Sequence, residues 1–303
     1  MKFGKLQDLT GVDFSLPPLA EATQNLFSEK TQQKSDCQIL IGCPSWSSKD
    51  WIGKIYPQGT KSKDFLKHYA KSFDSIELNT TYYRTPKAET LQGWSEKVHD
   101  TFRFCPKISQ QISHYRRLNN VRLLTEEFCA AFDLLGEKLG PFFLQLPPNF
   151  SSNEADKLEN FIDTFPLGYQ LAVEFRHETW FTDQAAFNNL ANLLQEKGMM
   201  TCISDVAGRR DVLHQRITNP ELMLRFVGNQ LHQTDYTRVD DWVDTIAHLA
   251  ERGLEKVYFF IHQPEEIECP ELGVYLVKKL KAVGLSNVKN LLYKTGGVQS
   301  TLF

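Results

Sequence analysis

No stretch of the 303-residue sequence approaches the roughly 20 consecutive apolar residues that a membrane-spanning helix needs, so no membrane association is expected. Met1 to Ala20 also lacks the continuous apolar stretch of a secretion signal and is broken by Pro17-Pro18, which predicts a cytoplasmic protein. The six cysteines, Cys37, Cys43, Cys105, Cys129, Cys202 and Cys269, form no CxxC pair and lack the density of a disulfide scaffold. They are expected to be reduced, with Cys37, Cys105 and Cys202 acting as small hydrophobes in or beside strands. No GxGxxG loop, and no GxxxxGK loop ending in Ser or Thr, follows any strand-like run, which removes the commonest nucleotide-binding loops. There is no HExxH, and no metal or other cofactor is expected. An excess of positive charge is missing too: 34 Lys and Arg stand against 37 Asp and Glu, for a net charge of -3. That balance leaves no basic footprint for nonspecific nucleic-acid or membrane binding, so an anion has to be bound locally.

What is present is ordinary globular composition, 41% hydrophobic and 23% charged, with ample material for a buried sheet. Residues 1–36 read as an N-terminal extension, a polar segment without sustained periodicity that ends in Gln32-Gln33-Lys34-Ser35-Asp36. From Cys37 onward short apolar runs alternate with longer amphipathic ones, the pattern of βα units and a parallel sheet. The expected strands are Gln38–Gly42, Ser75–Leu78, Phe102–Cys105, Phe142–Leu146, Gln170–Phe175, Met199–Ser204, Leu222–Phe226 and Lys256–Ile261. Most are continuously apolar, as strands covered on both faces should be. Val121 to Leu139 carries Leu124, Phe128, Phe132 and Leu135 along one helical stripe. Trp242, Ile246, Leu249 and Ala250 make a second, and Leu272, Tyr275, Leu276, Leu280 and Val283 a third. Eight such units, without a nucleotide-binding loop to favour an open sheet, predict a single (β/α)8 TIM barrel over residues 37–303.

In a barrel the residues just beyond each strand line the C-terminal mouth, where barrel enzymes carry their active sites. Here those positions read Gly42-Cys43-Pro44-Ser45-Trp46, Glu77-Leu78-Asn79-Thr80-Thr81-Tyr82-Tyr83, Phe104-Cys105-Pro106-Lys107 and Gln145-Leu146-Pro147-Pro148 for the first four strands. The last four supply Glu174-Phe175-Arg176-His177-Glu178-Thr179-Trp180, Ser204-Asp205, Arg225-Phe226-Val227-Gly228 and His262-Gln263-Pro264. These phrases, with Trp51 and Tyr56-Pro57, resemble the domain of unknown function 72 (YecE-like) family from about residue 38 to about residue 290. The resemblance implies a TIM-barrel fold without a firmly established activity. That family carries an Asn-containing phrase after its last strand and a His near Gly228, where this chain has His262-Gln263 and Val227.

Glu77, Glu174, Lys107 and Asp205 are the candidate catalytic groups, because carboxylates among cations can acquire the separated pKa values that general acid–base chemistry requires. A lysine kept among carboxylates holds its charge, whereas one desolvated by apolar neighbours becomes a base or nucleophile. Arg176 and Arg225 offer planar forks for carboxylate or phosphate. Together with Lys107, Arg225 is expected to bind the anion, Arg176 either contributing or clamping Glu174. Asn79, Gln145, His114, His177 and His262 are candidate polar contacts, and Trp46, Tyr82 and Trp180 candidate apolar walls. His68, His214, His232 and His248 read as structural. Set against this is a purely structural ion-pair belt, which would not need so many members converging from separate strands.

The expected function is a metal-independent enzyme that acts on a small phosphorylated or carboxylated substrate, by hydrolysis, isomerisation or lyase chemistry. Three alternatives stand beside it. One is a glycosidase-like hydrolase using Glu77 and Glu174. Another is a divalent-metal phosphoesterase with Glu174, Asp205 and His262, joined by His177. The last is a barrel that binds a ligand without catalysis. Nucleic acid is not an expected partner, and the residues do not disclose a protein partner.

Overall fold

Eight short strands and the helices between them make up most of the computed structural model, which describes residues 6, 8–28 and 33–294. The strands are β1 (Gln38–Cys43), β2 (Ser75–Leu78), β3 (Arg103–Pro106), β4 (Phe142–Gln145), β5 (Leu171–Glu174), β6 (Met200–Val206), β7 (Glu221–Val227) and β8 (Lys256–His262). β2 has the expected bounds, and each of the others is an expected strand with one or both ends shifted by one or two residues. β6 and β7 run further than expected because Asp205 and Val206 still pair with Phe226 and Val227.

All ladders are parallel, in the order β3-β2-β1-β8-β7-β6-β5-β4. The remaining seam, between β3 and β4, is bridged at isolated points: Gly140 N–H donates to Phe104 O at 2.8 Å, and Ile108 N–H donates to Phe143 O at 2.9 Å. These contacts complete a (β/α)8 TIM-barrel-like ring, the fold expected from the alternation of elements. Close strand approach requires a glycine on β1, since a Cβ on Gly42 would lie 2.5 Å from the Ser75 carbonyl oxygen.

Around the ring run α1 (Glu21–Leu26), α2 (Phe65–Ser72), α3 (Ala88–Ser95), α4 (Arg122–Ala130), α5 (Ala155–Thr164), α6 (Thr179–Thr182), α7 (Gln184–Glu196), α8 (Gln233–Ala250) and α9 (Cys269–Ala282). The α8 stripe buries Trp242, Ile246, Leu249 and Ala250, and α9 buries Leu272, Leu276 and Leu280. The stripe from Val121 to Leu139 is not one helix. α4 stops at Ala130 and a short 3-10 segment, Asp133–Lys138, follows with Gly136 at φ 50° and ψ -131°. The break keeps Phe128, Phe132 and Leu135 buried while turning the chain so that Gly140 meets β3.

Two cores result from strand alternation. Leu40, Cys105, Phe143, Ala172, Met200, Cys202, Met223, Tyr258 and Phe260 pack inside the ring, apart from the larger layer between the sheet and its helices. The described part of the N-terminal segment docks beside β6 and β7. Ala20 N–H and Thr23 Oγ1 both donate to Gln215 O, at 3.2 and 3.0 Å, and Ile217 N–H donates to Thr23 Oγ1 at 2.9 Å. Phe27 is buried in the outer core.

Candidate functional site

Side chains two residues apart on a strand share a face, so the apolar filling of the ring dictates what stands one layer higher. Stepping by two from Cys105, Phe143, Ala172, Met223 and Phe260 reaches Lys107, Gln145, Glu174, Arg225 and His262. Glu77 joins them because it lies in register with Cys105. The ring therefore ends in a polar layer whose members are all buried.

Arg225 organises this layer. Its Nε and Nη2 donate to the two carboxylate oxygens of Glu77 at 2.9 and 3.0 Å, and its Nη1 donates to Glu174 Oε2 at 2.8 Å. Gln145 Nε2 donates to the same Glu174 oxygen at 2.8 Å, and Gln145 Oε1 accepts from Lys107 Nζ at 2.8 Å. Glu77 also accepts from Asn79 Nδ2 at 2.8 Å and lies 2.9 Å from His262 Nε2. Arg176 Nε sits 3.6 Å from Glu174 Oε1. The Lys107 ammonium lies 4.7 Å from the centroid of the Tyr82 ring and 5.6 Å from that of Phe143.

Over this layer opens a cavity of about 600 Å³, in the range of small-molecule sites. Asn79, Tyr82, Lys107, His114, Gln145, Arg176 and His262 line it. His114 meets Tyr82 edge-on at 5.1 Å, and its Nδ1 is 2.8 Å from Ser113 Oγ. Glu77, Glu174 and Arg225 lie beneath and do not line it.

Burial penalises every charge here, and the neighbours decide which charges survive. For Glu77 that penalty is outweighed by Arg225 and His262, which hold the carboxyl well below its ordinary range. Glu174 is likewise lowered against burial by Arg225, Arg176, Gln145 and Lys107. Both carboxylates thus stay ionised, and the Arg225 proton is held more firmly than usual despite burial, because Glu174 and Glu77 face it. The cavity cations shift the other way. Burial first, then Arg225, brings Lys107 down to about 8, and burial brings Arg176 down to about 10. Burial together with Lys107, Arg176 and Arg117 pushes His114 down to about 4, so its ring is neutral at pH 7.

Four residues picked out from the sequence stand elsewhere. Asp205 projects from the outer side of β6, where its carboxylate accepts from Arg238 Nη1 and Trp242 Nε1, each at 2.8 Å, and from Arg210. Trp180 is buried in the outer core, stacked on Phe150 at 6.4 Å, with its Nε1 donating to Phe150 O. Trp46 meets Trp94 edge-on at 5.1 Å and does not line the cavity. His177 turns to the start of α6, its Nδ1 2.9 Å from Thr179 Oγ1. The donor set Glu174, Asp205 and His262 is divided by the sheet. Among the described residues no three His, Cys, Asp or Glu side chains form a metal-holding group. Arg225, expected to face a ligand, is instead enclosed by its two glutamates.

Several lining residues carried no signal in the sequence. Glu266 brings a carboxyl to the cavity from the loop after β8, and burial raises its pKa. Asn229 and Gln263 form another wall. Gln263 Oε1 accepts from Gln230 N–H at 3.0 Å, and the side chain lies so close that a Cβ on Gly228 would be 2.3 Å from it. The phrase His262-Gln263 placed Gln263 at a strand end, but nothing in it indicated this bracing role.

Fold and site together define a (β/α)8 barrel with a buried ionic layer under a partly cationic cavity at the strand ends. The chain belongs to the family described as "Protein of unknown function DUF72", whose pattern matches residues 40–291. It is similar to the UPF0759 protein YecE of Escherichia coli strain K12, with 30% identity over 252 residues that cover 77% of this chain and 89% of the relative. UPF0759 protein YunF of Bacillus subtilis strain 168 is 29% identical over 155 residues, 48% of this chain and 52% of that protein. Among solved structures, a DUF72 family protein from Enterococcus faecalis V583 superposes with a TM-score of 0.66 at 18% identity, over 80% of this chain and 96% of that one. A DUF72 family protein from Thermotoga maritima MSB8 gives 0.61 at 22% identity, over 81% and 99%. At these identities the likeness of the structures bears on the fold alone.

Proposed function

We propose that this barrel binds a small phosphorylated or carboxylated molecule in its mouth and carries out proton-transfer chemistry on it without a metal. The observation that supports this is the imbalance of the buried layer. Among the described residues two carboxylates, Glu77 and Glu174, are set against three cations, Arg225, Lys107 and Arg176, of which Lys107 and Arg176 line the cavity. Both carboxylates are turned toward Arg225 below, so Lys107 and Arg176 face the opening, where Glu266 is the one carboxyl among the described lining residues. Arg176 supplies a planar fork for the anion and Lys107 a compact charge. Proton exchange falls to Lys107 and Glu266, whose pKa values burial moves toward neutrality from opposite sides.

In this reading Glu77 and Glu174 are supports that hold Arg225. A glycosidase needs one carboxyl with a raised pKa beside the scissile bond. Here both are lowered and neither lines the cavity. The test is calorimetric titration of the wild type and of Arg176→Ala with inorganic phosphate, glycerol 3-phosphate and lactate. Binding to the wild type, weakened about tenfold or more by the substitution, is the expected result, since one charge-assisted contact is worth about 1.5–3 kcal/mol. If the wild type binds none of the three, or Arg176→Ala binds them equally well, the anion site is wrong.

A further inference from the structure

Several lysines on the outside of this barrel are tied to carboxylates, among them Lys197 to Asp163 at 2.7 Å, Lys256 to Glu221 at 2.8 Å and Lys289 to Asp74 at 3.0 Å. Lys107 is different. It is 8% exposed, it lines the cavity, and among the described residues no carboxylate lies within 4 Å of its amine. Its acceptor is a neutral amide oxygen, Gln145 Oε1 at 2.8 Å, and the rings of Tyr82 and Phe143 stand beside it.

The amide is itself fixed. Gln145 Nε2 is committed to Glu174, so the oxygen must face the lysine. Gln145 is thus a spacer that keeps Glu174 from contacting the amine directly. A carboxylate in its place would lock the proton on nitrogen. An amide oxygen accepts one N–H from a neutral amine just as well and leaves the nitrogen lone pair unused.

We propose that Lys107 is an amine nucleophile that forms an imine with the carbonyl carbon of a small aldehyde or ketone whose anionic group is held by Arg176. The proposal rests on the anion reading above and narrows it to carbonyl compounds that carry a phosphate or carboxylate. The Nζ lone pair attacks the carbonyl carbon, and the new N–C bond forms as the C=O π bond breaks. The two amine hydrogens then leave with the carbonyl oxygen as one water molecule, and no oxidant or reductant is needed. Glu266, a carboxyl on the same cavity, is placed to pass a proton to the departing oxygen. An amine brought down to about 8 is substantially neutral at pH 8, where ordinary lysines are almost fully protonated.

The full chain at pH 8 is mixed with sodium cyanoborohydride and either glyceraldehyde 3-phosphate or pyruvate, with uncharged glyceraldehyde as the control aldehyde. Intact mass and peptide mapping then locate the reduced adduct. The expected result is one adduct per chain on Lys107 from the anionic carbonyls, absent in Lys107→Arg and Lys107→Met, and formed about tenfold more slowly in Arg176→Ala. Thermal melts of the three variants verify that each is folded, and Lys107→Arg keeps the charge if Lys107→Met does not fold. Glycerol 3-phosphate and lactate, anions without a carbonyl, separate the two ideas. If they bind in an Arg176-dependent way and no adduct forms on Lys107, the imine is overturned and the anion site stands. If Lys107 is trapped equally fast by uncharged glyceraldehyde, the amine is a nucleophile but the pairing with Arg176 is overturned. If there is neither anion binding nor an adduct, both readings fall.

Discussion

Asp205 on β6 and Arg225 on β7 both stand near the C-terminal ends of neighbouring strands, and each anchors a buried ionic cluster. In strand register Arg225 is opposite Ser204 and Asp205 is opposite Phe226, so the two clusters are one step apart and on opposite sides of the sheet. The outer cluster is closed and balanced. Asp205 and Asp235 face Arg238 and Arg210, Trp242 supplies a further donor, and Arg238 covers the Phe226 ring at 4.4 Å. Among the described residues the inner cluster holds three cations and two carboxylates, and it opens on the cavity. Buried charge by itself therefore says little about function. What separates the two clusters is that only the inner one sends charged groups into the cavity.

The outer cluster still serves the inner one. Asp235 Oδ2 accepts from Asn229 N–H at 2.7 Å and from Gln263 Nε2 at 3.2 Å, and both of those residues line the cavity. Asp235 thus braces the wall that closes one side of the mouth, whereas Asp205, engaged with Arg238, Arg210 and Trp242, touches neither lining residue.

The comparison is tested most severely at Arg225. Arg225→Met leaves Glu77 and Glu174 buried without their shared partner, and urea unfolding is expected to show a loss at or above the about 3–5 kcal/mol typical of a broken buried pair. Anion binding should disappear with it, because the layer under Lys107 and Arg176 loses its order. A smaller effect, about 2–3 kcal/mol, is expected for Asp205→Asn, which keeps the shape and one acceptor but removes the charge between Arg238 and Arg210. Here sulfate affinity should stay within about twofold of the wild type, since neither arginine lines the cavity. An affinity loss as large as that of Arg176→Ala would erase the distinction between the clusters.

The smallest effect concerns pH. Below about 8 Lys107 is charged, and as pH rises through that value the cavity loses a cation. Sulfate, whose own charge is constant, should bind about tenfold more weakly at about pH 9 than at about pH 7, and the dependence should flatten in Lys107→Met. Stability runs the opposite way. The folded value is depressed below the ordinary 10.5, so between about 8 and 10.5 the unfolded chain binds more protons and the Lys107 contribution favours folding increasingly as pH rises. A sulfate affinity that is flat with pH in the wild type would remove Lys107 from the anion site.

Much of the mouth was legible because periodicity and strand ends are local properties. Glu77, Lys107, Gln145, Glu174, Arg225 and His262 were all found by reading just beyond apolar runs, and the ring brings them into one connected layer. Trp46, His177 and Trp180 were misplaced by the same rule. Once the chain leaves the strand its direction is set by loop packing, which turns Trp180 onto Phe150 and His177 onto Thr179. Glu266 went unseen for the same reason, being brought to the cavity by the loop after β8.

The sequence by itself determined the order of elements, the parallel ring they close and the polar identity of the strand ends, because apolar runs of strand and helix length can be buried together in few other ways. Only the tertiary structure decided on which side of the sheet each end residue falls. Alternation along a strand specifies that neighbours point oppositely, but β6 and β7 are buried on both faces, so the pattern carries no phase. Closure of the barrel supplies that phase. It turns Arg225 inward to bind Glu77 and Glu174, sends Asp205 outward to Arg238, and lets Lys107 and Arg176 reach the cavity.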